Sequence, residues 1–159
     1  MSLKEAFVEQ IQQNQGLINK IVFFYADNSE DQNDLRQEIL YQAWKSYKKF
    51  RGDAKFSTWL YQVGLNVAVS RFRKKKIQIA DVGEPPERGT PTQSSGKELL
   101  QQIMNVLSPV EKSIVLLQIE GYKQPEIADM LGITENNTRV KIHRIRQKLT
   151  RYGIHEFVE

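Results

Sequence analysis

The sequence predicts an all-α fold in which two small helical domains are joined by a flexible linker. Apolar residues recur at helical spacing in both halves of the chain, and no run shows the alternation that is typical of a strand. The composition changes sharply over residues 77–96, which hold three of the five prolines, three of the nine glycines and no aromatic residue. We therefore expect one domain over residues 1–76, a linker over 77–96 and a second domain over 97–159.

Serine residues mark the predicted helix starts. A serine side chain accepts a hydrogen bond from a free backbone N–H group of the first turn. The side chain of an acid or amide three residues later accepts a hydrogen bond from the backbone N–H of that serine. The pattern pairs Ser2 with Glu5, Ser29 with Gln32, Ser95 with Glu98 and Ser108 with Glu111. With the apolar spacing, it predicts helices near 2–14, 16–27, 30–49, 56–75, 97–107, 109–120, 124–131 and 134–151.

The composition argues against several kinds of site. The chain has no cysteine, and its two histidines lie near the C-terminus, so we expect no disulfide, no metal site and no cofactor. No segment approaches the roughly 18 apolar residues of a membrane span, and the N-terminus lacks the pattern of a signal peptide. We expect a cytoplasmic protein with no direct membrane insertion and no small-molecule substrate.

Basic residues are concentrated in two segments, although the net charge is only +4. Residues 71–76 carry five basic groups, and residues 139–151 carry six with no acid among them. Either run alone is equally compatible with a solvated helix face. The positions of the charges are therefore more informative about a polyanionic partner than their sum.

The segment QPEIADMLGITENNTRVKIHRIRQKL has the spacing of a helix-turn-helix. Its first helix is expected to pack Ile127, Ala128 and Leu131 inward. Gly132 permits a left-handed turn, Ile133 fills the gap between the helices, and Thr134 caps the second helix.

The second helix has a core face and a polar face. At 100° per residue, the core face holds Thr138, Ile142, Ile145 and Leu149. If the polar face enters a major groove, Arg139 can bind guanine, Asn136 can bind adenine, and Val140 can contact a thymine methyl group. The full predicted duplex-binding set is Asn136, Asn137, Arg139, Val140, Lys141, His143, Arg144 and Lys148, with Lys141, Arg144 and Lys148 on phosphates. Alternatively, Val140 is an ordinary exposed aliphatic residue and His143 a surface histidine without a role.

Both halves resemble the extracytoplasmic-function sigma factors of the sigma-70 family. The second conserved region of that family is similar to SEDQNDLRQEILYQAWKSYKKFRGDAKFSTWLYQVGLNVAVSRFRKKK. The fourth region is similar to LSPVEKSIVLLQIEGYKQPEIADMLGITENNTRVKIHRIRQKL. The resemblance implies docking of Asp34, Gln37 and Glu38 on a coiled coil of the largest subunit of core RNA polymerase. It also implies a contact with the polymerase flap, binding of promoter DNA, and control by an anti-sigma factor.

The segment FRGDAKFSTWL mixes aromatic and basic residues and is expected to bend at Gly52. Aromatic and cationic groups can hold an extruded base and a single strand. In the family, the loop matching about Phe50 to Lys55 holds a flipped base of the minus-ten element. The resemblance places minus-ten contacts on Arg51, Lys55, Asn66, Arg71, Arg73, Lys74 and Lys75. Trp59 is expected to lie in the core instead. The sequence departs from common family residues at Gln62, Leu65, Ser70 and Thr138.

The function predicted from these observations is that of an alternative sigma factor without enzymatic activity. Its N-terminal domain would dock on polymerase and trap the melted minus-ten strand, while its C-terminal helix reads the minus-thirty-five duplex. One alternative is a free-standing regulator that binds operators as a symmetric dimer. Another is an enzyme acting on nucleic acid, but the sequence has no clustered carboxylates, phosphate-binding glycine loop or nucleophile–base pair.

Overall fold

A computed structural model describes residues 1–80 and 102–153, with side chains through Lys74 in the first range. Within these ranges the protein is helical and contains no strand, which confirms the predicted fold class. The helices are α1 (Leu3–Gln13), α2 (Gln15–Tyr25), α3 (Ser29–Tyr47), α4 (Phe56–Ala80), α5 (102–106), α6 (Pro109–Ile119), α7 (Gln124–Leu131) and α8 (Glu135–Arg151).

The chain separates into two compact units, which we call unit 1 (Met1–Arg73) and unit 2 (Lys74–Glu159). Helix α4 runs to Ala80, so it continues past the predicted end at residue 75 and through the first four residues of the predicted linker. The rest of that linker lies outside the described residues. None of the helices in the described ranges has the length and hydropathy of a membrane span.

Two of the four predicted helix caps are confirmed in full. Ser2 with Glu5 and Ser108 with Glu111 both form complete capping boxes. The third prediction is wrong, because Asn28 caps α3 and Ser29 is already helical. The Asn28 side chain accepts from the Asp31 backbone N–H at 2.8 Å, and asparagine is as good an N-cap as serine. The fourth pair, Ser95 with Glu98, lies outside the described residues.

Unit 1 is built around the apolar faces of α2, α3 and α4. Ile21, Leu35, Ile39, Leu60 and Leu65 are all fully buried. Leu65 is therefore a core residue of unit 1.

Gly64 brings α4 close to α2 and α3. A Cβ atom at this position would lie 2.7 Å from Ile21 Cδ1 and 3.7 Å from Ile39 Cγ2. Since carbon atoms in contact are normally about 3.5–4.0 Å apart, even the smallest side chain at position 64 would clash with Ile21.

Unit 2 contains the predicted helix-turn-helix. Gly132 ends α7 with φ at 68°, in the left-handed region that glycine enters without steric cost. Ile127 and Ala128 are buried as predicted, but Leu131 is only half-buried and Met130 takes the inward position instead. Positions 130 and 131 both follow Ile127 at helical spacing, so the spacing alone does not distinguish Met130 from Leu131.

Candidate nucleic-acid interface

Helix α8 presents the predicted polar face to solvent. Thr138, Ile142, Ile145 and Leu149 are buried, as the helical spacing predicts. The polar-face residues are exposed, except for half-buried Lys141 and Lys148. Val140 is 41% exposed among them. The face therefore has the mixture of donors, cations and one methyl-bearing side chain that base edges require, and its role in binding remains a prediction.

The first turn of α8 is fixed by two threonines. The Thr134 hydroxyl accepts from the Asn137 backbone N–H at 3.0 Å, which is the predicted cap. Thr138 is fully buried, and its hydroxyl donates to the Thr134 carbonyl at 3.0 Å. This hydrogen bond lets a polar residue occupy a core position.

Lys148 forms an ion pair inside unit 2, although it was predicted to contact phosphate. Its Nζ donates to Glu111 Oε1 on α6 at 2.6 Å. Burial raises the pKa of the Glu111 carboxyl, but hydrogen bonds from Lys148 and from Ser108 lower it, and the net effect places the pKa below its usual value of 4.5. Glu111 is therefore ionised at neutral pH and carries a charge opposite to that of Lys148.

In unit 1, the loop 51–55 lies between two aromatic residues that contact each other. The rings of Phe50 and Phe56 are 5.9 Å apart and meet edge to face at 87°. All five residues of the loop are exposed, and Gly52 has a φ of 78°, consistent with the predicted bend. Arg51 and Lys55 therefore project from a loop whose two ends are held together.

Six aromatic rings form a cluster beneath this loop. It joins α1, α3 and the start of α4 through Phe7, Trp44, Tyr47, Phe50, Phe56 and Trp59. Trp59 packs against three of these rings, Tyr47, Phe50 and Phe56, yet it remains half-buried rather than fully enclosed. The prediction that it is a core residue agrees with its contacts but overstates its burial.

Helix α4 carries the other predicted minus-ten residues. Asn66, Arg73 and Lys74 are exposed, whereas Arg71 is half-buried. The side chain of Lys75 lies outside the described residues. Arg71 reaches across to α3, where it lies 3.7 Å from Asp34 Oδ2 and 3.4 Å from Glu38 Oε2. The structure thus joins a predicted DNA contact to two predicted polymerase contacts.

The predicted polymerase-docking residues lie on the exposed side of α3. Asp34, Gln37 and Glu38 are exposed, while Leu35 and Ile39 on the opposite side are buried. Sequence reasoning missed Tyr41 on the same face, where it is 61% exposed. It lies one turn beyond Gln37 and Glu38, so helical spacing alone could have revealed it.

No group of residues suitable for holding a metal ion occurs among those that the structure describes. The predicted site residues whose side chains the structure describes lie on three surfaces: the polar face of α8, the loop 51–55 with the exposed residues of α4, and the acidic side of α3.

Comparison with known proteins relates these surfaces to two conserved regions. Residues 10–77 match the family model Sigma-70 region 2, and residues 97–149 match the model Sigma-70, region 4. Together the two matches cover well over half of the chain.

Curated relatives match along nearly the whole length. The ECF RNA polymerase sigma factor SigW of Bacillus subtilis is 26% identical over 164 residues, covering 92% of this chain and 88% of SigW. The ECF RNA polymerase sigma factor SigM of Mycobacterium tuberculosis is 25% identical over 152 residues, covering 92% of this chain and 76% of SigM.

Among solved structures, the sigma factor RpoE of Bartonella quintana, in complex with the anti-sigma factor NepR, has the same fold. It superposes with a TM-score of 0.70 at 19% identity and covers 92% of this chain and 96% of RpoE.

Proposed function

Because this chain belongs to the extracytoplasmic-function group of the sigma-70 family and is an alternative sigma factor that directs promoter-specific transcription initiation, we propose how its two units divide that work. Unit 1 docks on core RNA polymerase and holds the melted minus-ten strand, while unit 2 reads the minus-thirty-five duplex. The observation that carries this division is the occurrence of regions 2 and 4, in that order, on two separate helical units.

Duplex reading by unit 2 rests on the exposed polar face of α8. Asn136 and Arg139 offer side chains that match adenine and guanine edges, and Val140 offers methyl groups for thymine. Lys141 and Arg144 lie on one flank of this face, where cations can bind the phosphate backbone and set the register of the helix. Asn137 and His143 complete the proposed contact surface.

Single-strand capture by unit 1 rests on the loop 51–55. The aromatic contact between Phe50 and Phe56 fixes the ends of the loop, and Arg51 and Lys55 supply positive charge next to it. Aromatic and cationic groups together stabilise an unstacked base and its backbone. Asn66, Arg73, Lys74 and Lys75 would continue the contact along α4.

Polymerase docking rests on the acidic side of α3. Asp34, Gln37 and Glu38 present carboxylate and amide groups that suit a basic helical surface such as the coiled coil of the largest polymerase subunit. The position of Arg71 beside two of these residues suggests that it orients the docking face in addition to any contact with DNA.

An anti-sigma protein is the expected regulator. The related RpoE was solved in complex with the anti-sigma factor NepR, and this chain shares its fold. We assign the protein to the cytoplasm, where polymerase and promoter DNA are found, and we assign it no enzymatic activity of its own.

Reconstituted transcription tests the proposal directly. The purified chain is combined with bacterial core polymerase on a promoter library, and transcripts should begin at a shared promoter class only when the chain is present. A variant with Asp34→Lys and Glu38→Lys should lose association with polymerase while it still binds duplex DNA. Full transcription by this variant would refute the docking role.

The same reagents distinguish the rival function. A free-standing regulator would form a stable dimer in gel filtration, bind a palindromic duplex tightly and show no affinity for core polymerase. That combination of results would overturn the proposed function.

A further inference from the structure

We propose that Glu111 and Lys148 form a positioning link that holds the recognition helix α8 against α6, so that Lys148 orients the helix instead of binding phosphate. The two residues are 37 positions apart in the sequence, and Lys148 Nζ lies 2.6 Å from Glu111 Oε1. The link therefore depends on the packing of unit 2. It goes beyond the proposed function by giving one half-buried member of the basic run an intramolecular partner in place of a phosphate.

The Glu111 side chain is held in place by contacts other than the one to Lys148. The residue is 5% exposed, and its Oε1 also accepts from the Ser108 backbone N–H at 2.8 Å. Its own backbone N–H donates to Ser108 Oγ at 3.2 Å, which completes the capping box of α6. The carboxylate is thus fixed at the start of α6, and Lys148 must remain near it for the pair to persist.

Removing Lys148 from this pair is unfavourable. A buried carboxylate without its counter-charge keeps the cost of desolvation and loses the attraction that offsets it. The pKa of Glu111 lies below its usual value despite burial, which agrees with a carboxylate held in its charged form by these hydrogen bonds. A DNA phosphate would therefore have to compete with Glu111 for the Lys148 ammonium group.

The helical position of Lys148 agrees with this role. With Val140 as the centre of the outward face, Arg144 lies about 40° and Lys148 about 80° around the helix axis, while the buried residues are centred near 170°. Lys148 thus lies near the border of the core face, as Lys141 does at about 100°, and Arg144 lies well within the exposed face. The ion pair with Glu111, rather than the angle, distinguishes Lys148 from Lys141. Within the described part of the chain, Arg144 forms no ion pair, so its charge is available to phosphate.

Three near-isosteric variants of the full-length chain test the link. Glu111→Gln removes the charge but retains an amide that can still complete the capping box. Lys148→Gln removes the other charge, and Arg144→Gln is the matched control on the exposed face. Binding to a short fluorescein-labelled duplex of mixed sequence is measured by anisotropy between about 50 and about 200 mM KCl.

Salt dependence separates the two roles of a basic residue. Each phosphate contact contributes about 0.9 to the slope of log affinity against log salt concentration. Arg144→Gln should lose about 0.9 from this slope, whereas Lys148→Gln should retain the wild-type slope. A loss of about 0.9 in Lys148→Gln would overturn the proposal, because it would show that Lys148 binds phosphate.

Stability provides the second readout and requires no DNA. Both units are helical and both tryptophans lie in unit 1, so the unfolding of unit 2 is the change in circular dichroism that tryptophan fluorescence does not report. Glu111→Gln and Lys148→Gln should each lower the temperature of that change, and the double variant should lose less than the sum of the two single losses. Lys148→Arg preserves the charge and should restore both stability and binding. If Glu111→Gln left unit 2 as stable as the wild type, the link would be refuted. Failure of the wild-type chain to bind any duplex would count instead against the proposed function.

Discussion

Replacing Gly64 by alanine should destabilise unit 1, although alanine is the better helix former. In an open helix interior, this change would add up to about 1 kcal/mol of stability. Here the new Cβ would lie 2.7 Å from Ile21 Cδ1, about 1 Å inside normal contact distance, and Ile21 is fully buried. Overpacking of this kind costs about 1–3 kcal/mol, and the gain in helix propensity offsets up to about 1 kcal/mol of it. The atom that must shift is the terminal methyl group of a side chain, so we expect Gly64→Ala to lower the free energy of unfolding by at most about 2 kcal/mol.

The structure also provides a compensating change. Ile21→Val deletes the Cδ1 methyl group that would clash with an alanine side chain at position 64, and by itself should cost about 0.5–1.5 kcal/mol. In the double variant, the alanine methyl group occupies the vacated space and the helix gains its improved propensity. The double variant should therefore be no less stable than Ile21→Val alone, which gives a favourable coupling of about 1 kcal/mol or more.

Tryptophan fluorescence makes this measurement specific to unit 1. The chain has two tryptophans, Trp44 and Trp59, and both lie in unit 1. Urea titrations followed at these residues report the unfolding of unit 1 without a tryptophan signal from unit 2. If Gly64→Ala stabilised unit 1, or if the two changes were simply additive, the close packing of α4 on α2 described above would be incorrect.

Three further predictions concern the binding surfaces and the link in unit 2. Because folding lowers the pKa of Glu111 from its usual value of 4.5, the ionised carboxylate should stabilise the folded state fully at a pH above 4.5. This stabilisation should be lost as the pH falls through the pKa that Glu111 has in the folded state. The difference in unfolding temperature between the wild type and Glu111→Gln should accordingly shrink in acid, and a difference that grew in acid would contradict this. Tyr41→Ala should weaken binding to core polymerase about tenfold or more, since an exposed aromatic residue at the centre of a polar face is typical of an interface hot spot. Tyr152→Ala, at a tyrosine with the similar exposure of 62%, is the matched control, and equal affinities in a pull-down titration would exclude a role for Tyr41. Arg139→Ala should cost about 1–3 kcal/mol on the preferred minus-thirty-five duplex and relax the preference at one base pair, whereas an equal loss on every sequence would contradict base reading.

Local chemistry in the sequence was sufficient to predict most helices and the helix-turn-helix. The Ser108 capping box and the left-handed Gly132 depend on residues within one turn, so their patterns are visible without a structure. The cap of α3 was misplaced by one residue because Asn28 and Ser29 are adjacent and both are good N-caps. Such an ambiguity is settled only by the backbone angles of the folded chain.

Features that depend on packing could not be predicted in this way. The distance between Glu111 and Lys148 follows from how α6 meets α8, and no spacing rule covers residues 37 positions apart. The clash at Gly64 likewise depends on the approach of three helices. The pairing of Arg71 with Asp34 and Glu38 also depends on packing, because Arg71 lies on α4 and the two acids lie on α3. It joins two predicted surfaces that the sequence places on different helices.

Under the proposed function, the aromatic contact between Phe50 and Phe56 affects how fast the loop 51–55 captures a base. A loop with free ends must lose conformational entropy when it closes on a ligand, at roughly 1–2 kcal/mol for each residue whose backbone becomes ordered. Here the two ends meet in the folded protein, so part of that loss occurs once, during folding, and is not repeated at each encounter with DNA. A loop that is ordered in advance loses less entropy on binding, and association is faster when binding requires less conformational change.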